Sequence, residues 1–199
     1  MSLVKDLFSN REHEFETTRW HSRLSKDASC YENCVVKSVI HVKSVASSLA
    51  HESLHIAIEN TVTGARTRIV AERNVSNDLV VLGRWGSTHH PLGQQDSDGN
   101  TKSNGSRSVG SSTIFRPVLP LRSLKFTTDS FTVVRLAEIL KQTTVVGGPW
   151  CPVGSNCYWF AATVYKSIKK QFSCVEDRYH FYETADKFEQ DIKKEWYTF

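Results

Sequence analysis

The sequence lacks any apolar run near the roughly 20 residues that a membrane-spanning helix requires. Its first residues, MSLVKDLFSNREHEFE, also lack the apolar stretch of a secretory signal. Both absences predict a protein without a membrane span that works in the cytoplasm or the nucleus.

The sequence also lacks a basic block, although 25 Lys and Arg against 21 Asp and Glu leave a net charge of +4. The densest positive cluster is Lys166, Lys169 and Lys170, at the end of a predicted helix, where positive charge suits the helix dipole. Nucleic-acid binding is therefore disfavoured.

Cysteine is sparse and shows no repeated spacing. The count of five is odd, and the closest pair, Cys30 and Cys34, has no second pair to complete a zinc site. His41, the nearest histidine downstream, has no partner at ligand spacing. We interpret Cys30 and Cys34 as small buried thiols, and we expect neither a metal nor another cofactor.

What is present is the composition of a globular protein, with 39% hydrophobic and 23% charged residues. A chain of 199 residues is long enough for one domain with a sizeable core. Residues 86–113, GSTHHPLGQQDSDGNTKSNGSRSVGSST, have almost nothing to bury. We predict a single domain over residues 1–199 that contains a flexible insertion at 86–113.

Alternating and β-branched segments come first in the chain. CVVKSVIHVKSV at 34–45 predicts a strand, and LHIAIEN and ARTRIVAERN predict a hairpin joined through Gly64. A short strand follows at 79–82. Residues 1–29 are predicted to be helical in part.

Helix signals dominate the second half. Asp129 or Ser130 is predicted to cap a helix over 131–142, and Asn156 a helix that begins at Cys157. An amphipathic terminal helix is predicted from Arg178 to Trp196. Strands followed by helices predict an α+β fold, with an antiparallel sheet and flanking helices.

Cys157 is the residue on which a functional hypothesis can be based. It follows Asn156 directly and is the first residue of its predicted helix. Unpaired backbone N–H groups and the helix dipole favour negative charge there, which biases a thiol toward thiolate. Cysteine nucleophiles are commonly activated in this way.

The run GSNCYWFA at 154–161, preceded by Pro149 and Trp150, resembles the Asn-Cys-aromatic helix start of circularly permuted papain-like thiol enzymes. These include PPPDE-type deubiquitinase-like peptidases and the lecithin:retinol acyltransferase-like group. It is most similar to uncharacterised fungal proteins with an NCYWFA helix. The segment His51-Glu52-Ser53-Leu54 is similar to the His-containing strand that precedes the Cys helix in the permuted group, and Glu72-Arg73-Asn74 resembles the end of the next strand in the fungal proteins.

The resemblance implies a permuted papain-like fold in which Cys157 is the nucleophile and His51 the general base. The resemblance supplies no third residue, and Glu72 and His55 are the candidates to orient the imidazole. Asn156 would cap the helix and help to stabilise an oxyanion. The reaction would be hydrolysis or acyl transfer at an amide, isopeptide or ester bond, with a protein or acyl substrate. A non-catalytic binding module on the same fold is the alternative.

His51-Glu52-Ser53-Leu54-His55 is also a literal H-E-x-x-H zinc motif. That chemistry requires a helix, where residues i and i+4 share a face one turn apart. The alternating residues that follow predict a strand, on which the two His would stand about 13 Å apart. A third ligand would have to be Glu72 or Asp78. A zinc-dependent hydrolase is therefore the lesser alternative.

Overall fold

The computed structural model describes residues 7–9, 12–44, 51–83 and 118–179. Within these ranges the chain forms seven strands, three α-helices and one short 3₁₀ turn. In chain order they are β1 (His13–Glu16), α1 (Thr17–Lys26), the 3₁₀ turn (Ala28–Tyr31), β2 (Cys34–Ser44), β3 (Glu52–Asn60), β4 (Arg66–Arg73), β5 (Asp78–Leu82), β6 (Val118–Lys125), α2 (Val133–Gly147), α3 (Cys157–Gln171) and β7 (Val175–Arg178).

The strands form one antiparallel sheet in the order β1-β5-β4-β3-β2-β6-β7. Strands β2 to β5 are neighbours both in the chain and in the sheet. Strand β6 returns to the free edge of β2, and β1 pairs with β5. The predicted α+β fold with an antiparallel sheet is confirmed. None of the described helices is long and apolar enough to cross a membrane.

The predicted β3–β4 hairpin is confirmed, and its turn is built by side-chain chemistry. The Asn60 side-chain oxygen accepts hydrogen bonds from the backbone N–H groups of Val62 at 3.1 Å and Thr63 at 3.0 Å. Gly64 follows with φ +71, a left-handed conformation that costs an ordinary residue about 1 kcal/mol. Space is not the reason for glycine, because an added Cβ would meet no atom within 4 Å.

The core lies between one face of the sheet and the helices. Leu54, Ile56 and Ile58 alternate along β3, and each is fully buried. From α3, Phe160 and Val164 pack into the same cluster, one helical turn apart. Burying each such side chain stabilises the fold by about 1.5–3 kcal/mol. This packing fixes α3 against β3 and β4, where the candidate site lies.

Helix α2 begins later than predicted. Its cap is Thr132, whose Oγ1 accepts from the backbone N–H of Arg135, so the prediction of Asp129 or Ser130 is wrong. The reason is Phe131, which is fully buried and whose carbonyl accepts a hydrogen bond from the Val36 N–H at 2.8 Å. The chain remains extended through Thr132, which bridges to Val35, so the helix can begin only after it.

The predicted terminal helix is wrong at its first residue. Arg178 ends the edge strand β7, which pairs with β6. The remainder of that prediction, from 180 onward, lies outside the described residues, as does the predicted insertion at 86–113. In the N-terminal part, the predicted helical content is present as α1, anchored by the buried Trp20.

Candidate active site

Helix α3 begins as predicted, with Asn156 as its cap. The Asn156 Oδ1 accepts a hydrogen bond from the Trp159 N–H at 3.0 Å, and its Nδ2 donates to the Pro152 carbonyl at 2.9 Å. Cys157 is therefore the first helical residue, and its own N–H lies in the turn that has no intrahelical acceptors. Both functional ends of the Asn156 amide are engaged in holding the loop and the cap.

Cys157 is buried, with 8% of its surface exposed. Of the other free thiols, Cys34 is also buried, Cys174 is half-buried, and Cys30 and Cys151 are exposed. The interpretation of Cys30 as a buried thiol is wrong, because it lies on an exposed side of the 3₁₀ turn. Cys151 provides an exposed reference thiol six residues before Cys157.

Arg73, at the end of β4, holds the loop that leads into α3. Its guanidinium donates to both carboxylate oxygens of Asp78 at 2.6 Å and to the Ser155 carbonyl at 3.1 Å. It also lies over the Trp159 ring, with the guanidinium carbon 5.2 Å from the ring centroid. Arg73 and Asp78 are both buried. Ser155, which lies two positions before Cys157, is thereby tied to the sheet.

His51 and Glu72 lie side by side although 21 residues separate them. His51 directly precedes β3, and the antiparallel register pairs its near neighbour Ser53 with Glu72 on β4. The His51 Nε2 is 3.1 Å from the Glu72 Oε2, and the Asn74 amide donates to the other carboxylate oxygen at 3.2 Å. Of the two orienting groups considered for the imidazole, it is Glu72 that contacts it.

The imidazole of His51 also hydrogen-bonds to the side chain of Cys157. Because Nε2 faces Glu72, Nδ1 is the ring nitrogen left to exchange a proton with the thiol. The hydrogen bond to Cys157 and then that to Glu72 raise the pKa of His51 from 6.5 to about 9, against the opposing effect of burial. The structure thus brings Cys157, His51 and Glu72 into one chain of contacts.

The pKa shifts of Cys157 and Glu72 complement that of His51. Burial by itself raises the pKa of Cys157, but hydrogen bonds from His51 and from the backbone N–H of Glu52 hold it below its ordinary value. Burial likewise acts to raise the pKa of Glu72, and the His51 and Asn74 contacts hold that pKa below its ordinary value. Charge separation is favoured, with negative sulfur, positive imidazole and negative carboxylate.

The H-E-x-x-H sequence is not on a helix. Glu52 to Asn60 form β3, as predicted, so His51 and His55 are not one helical turn apart. Among the described residues, no group of three or more His, Cys, Asp or Glu side chains is arranged to hold a metal ion. The zinc alternative receives no geometric support within this part of the chain.

A second histidine–carboxylate pair lies next to the first and was missed in the sequence. The His41 Nε2 is 2.7 Å from the Glu52 Oε2, and the Arg122 Nε donates to the His41 Nδ1 at 3.2 Å. All three residues are buried. The only sequence signal for the burial of His41 was its position two residues after Val39 on β2, which puts both side chains on the same face of the sheet.

A cavity of about 150 Å³ lies on the carboxylate side of the site. It opens between the β4–β5 turn, the start of α1, the end of α2 and the loop at 148–150. Its lining includes Asn74, the residue that donates to Glu72, and Trp150. Cys157, His51 and Glu72 are not part of the lining, so this cavity adjoins the site without containing its functional groups.

No protein-family model, curated protein or solved structure matches this chain.

Proposed function

We propose that the chain is a cysteine hydrolase or acyltransferase of permuted papain-like arrangement, acting on amide, isopeptide or ester bonds. The observation that carries the proposal is that His51 hydrogen-bonds to both the Cys157 side chain and the Glu72 carboxylate. A nucleophile, a base and a group that orients the base are the parts that covalent acyl chemistry requires. The order of His before Cys also agrees with the resemblance in sequence.

The resting site is an ion pair between a Cys157 thiolate and a His51 imidazolium. The raised pKa of His51 and the lowered pKa of Cys157 both favour this state. Glu72 acts through the imidazole: it fixes the ring with Nε2–H toward the carboxylate and Nδ1 toward the sulfur. We assign it as a positioning residue.

In the first half-reaction, the thiolate attacks the acyl carbon and a carbon–sulfur bond forms. The carbonyl electron pair moves onto oxygen, where the backbone N–H of Cys157, in the open first turn of α3, is placed to donate. The intermediate collapses, the bond to the leaving amine or alcohol breaks, and His51 gives its proton to the leaving group. The product is a thioester on Cys157.

In the second half-reaction, His51 is neutral and accepts a proton from water. The resulting hydroxide attacks the thioester, the carbon–sulfur bond breaks, and the acid is released with the thiolate and imidazolium restored. An amine or alcohol in place of water would give acyl transfer. Asn156 supports this chemistry as the helix cap, since its amide is already bonded to the Trp159 N–H and the Pro152 carbonyl.

The proposal is tested by thiol reactivity and by acyl-enzyme formation in the same protein. Limited alkylation with iodoacetamide at about pH 6 should label Cys157 before the exposed Cys151, and His51→Ala should slow labelling of Cys157 alone. With p-nitrophenyl acetate, a burst of p-nitrophenolate should accompany acetylation of Cys157, detected by mass spectrometry. Cys151→Ser is the matched control and should leave the burst intact.

If Cys157 labels no faster than Cys151 at pH 6 and is indifferent to His51, the thiol-enzyme proposal fails. A non-catalytic binding module on the same fold would then take its place. Labelling of Cys157 without a burst would show an activated thiol that does not form acyl intermediates with this ester, and peptide and isopeptide substrates would decide whether the chain is an enzyme.

A further inference from the structure

Glu52 joins the candidate active site to the buried pair beneath it. Its backbone N–H hydrogen-bonds to the Cys157 sulfur. Its side chain points elsewhere, with Oε2 2.7 Å from the His41 Nε2 and Oε1 3.8 Å from the Lys43 Nζ. One residue therefore contacts the nucleophile through its backbone and the buried network through its carboxylate.

The hydrogen bonds that lead to the Glu52 carboxylate have defined donors and acceptors. Because Arg122 donates to the His41 Nδ1, the imidazole proton must be on Nε2, from which it is donated to Glu52. The Arg122 guanidinium carbon lies 4.2 Å from the centroid of the Tyr165 ring on α3. Strands β6, β2 and β3 and the helix that carries Cys157 are thus connected through buried contacts.

Burying charged groups is costly, and apolar side chains of similar volume would often stabilise a core equally well. The buried His41–Glu52 pair is better explained by the groups that it keeps in position, which are His51 and the backbone N–H of Glu52. His51 has its carbonyl bonded to the Ser44 N–H at 2.7 Å, and the strand proper begins only at Glu52. The Glu52 side chain is therefore the anchor nearest to the imidazole and to the N–H that contacts sulfur.

We propose that Glu52 is a positioning residue for the proposed thiol chemistry, held by His41 so that its backbone N–H and the neighbouring His51 remain in register with the Cys157 sulfur. This inference depends on the proposed function for its significance, but it can be tested on the thiol alone. Displacement of a reacting group by about 1 Å is sufficient to lower a rate by about 10²-fold.

The charge of Glu52 acts in the opposite direction to its geometry. The carboxylate by itself raises the pKa of Cys157, while the backbone N–H lowers it. The charged groups around the sulfur are His51 and Glu52 directly, Glu72 behind His51, and Lys43 beside Glu52. Two substitutions at Glu52 separate the effect of its charge from that of its position. Glu52→Gln removes the charge, and Glu52→Asp keeps the charge on a side chain that is one methylene shorter.

The test compares Glu52→Gln with Glu52→Asp in the full chain, by the pH dependence of iodoacetamide alkylation at Cys157. Glu52→Gln retains an acceptor for the His41 N–H and loses the charge, so the apparent thiol pKa should stay equal or fall. Glu52→Asp retains the charge and withdraws it by one methylene, so the pKa should rise. A rise of about one unit corresponds to about tenfold slower labelling at pH 6.

A purely structural role predicts a lower melting temperature in both variants with an unchanged alkylation profile, and that outcome would overturn the inference. A raised pKa of Cys157 in Glu52→Gln would also overturn the inference. This measurement remains decisive even if Glu52→Asp fails to fold. The alkylation experiment uses no substrate, so it is independent of the proposed enzymatic activity. If the alkylation profiles are as expected but no ester or peptide is turned over, the positioning role of Glu52 is retained and the proposed enzyme is rejected.

Discussion

Among the described residues, two histidine–carboxylate pairs lie in adjacent positions, and they differ in their third partner. His51 and Glu72 are about one quarter exposed, at 26% and 25%, and their third partner is the thiol of Cys157. His41 and Glu52 are buried, at 3% and 7%, and their third partner is the guanidinium of Arg122. His51 and Glu52 are consecutive in the chain, yet they belong to different pairs.

The comparison shows that residue type does not determine the role of a histidine. Arg122 occupies the Nδ1 of His41 as a donor, so this imidazole has no free position from which to take a proton. The His51 imidazole instead contacts the Cys157 thiol, a group that can lose a proton, and its side chain is 26% exposed. The first pair can take part in proton transfer, whereas the second can only hold neighbouring groups in position.

The largest expected effect comes from deleting each imidazole in turn. His51→Ala should lower the rate of the proposed reaction by about 10²–10⁴-fold, because the proposed general base is lost. It should reduce the free energy of unfolding by less than His41→Ala does, because the His51–Glu72 pair is partly solvated. His41→Ala should reduce the free energy of unfolding by about 3 kcal/mol, because Glu52 loses its closest partner while buried.

Urea unfolding and initial-rate measurements on both variants check this contrast, with Cys151→Ser as the neutral reference. Equal stability losses in His41→Ala and His51→Ala would contradict the distinction between a buried structural pair and a partly open site. An active His51→Ala variant would remove His51 from the chemistry.

The pH dependence gives the next largest effect. Because the pKa of His51 is raised from 6.5 to about 9, its ion pairs stabilise the fold fully below about pH 6.5 and are lost as the pH rises through about 9. The pKa of Glu72 is lowered, so its contribution is present above about pH 4.5 and is lost as the pH falls through the lowered value. Hydrolysis should therefore decline near pH 9, where the imidazolium loses the proton that the leaving group needs.

Initial rates measured from about pH 4 to 10 check this prediction, and alkylation of Cys157 provides the internal control. Alkylation needs only thiolate, so its rate should reach a plateau where hydrolysis declines. An alkaline limb of hydrolysis near 6.5 would show that His51 titrates as an isolated imidazole, without the contacts to Cys157 and Glu72.

The smallest expected effect compares the two helix caps. Asn156→Ala and Thr132→Ala each remove a side-chain acceptor from a helix start, and each should cost about 1 kcal/mol of stability. Asn156→Ala should also slow alkylation of Cys157 at pH 6 by a few-fold, because a frayed first turn weakens the N–H field at the sulfur. Thr132→Ala should leave alkylation unchanged, and equal slowing in both variants would refute the local origin of the effect.

Much of the fold could be predicted because local patterns and tertiary packing agree. The alternation of Leu54, Ile56 and Ile58 and the turn at Gly64 specified the hairpin, and Asn156 specified the start of α3. The predictions at Asp129 and at Arg178 are wrong, because each segment is recruited by a distant strand. Residues near Phe131 bridge to β2, and Arg178 pairs with β6.

The sequence by itself determined that Cys157 begins a capped helix and that His51 precedes a strand, since both depend on neighbours within a few residues. Only the tertiary structure decided that Glu72, and not His55, meets the imidazole, and that Arg73 pairs with Asp78. It also decided that His41 has a partner at all. Packing of the strands and helices brings such residues together across 5 to 81 positions of sequence, and neighbours along the chain do not reveal which side chains then meet.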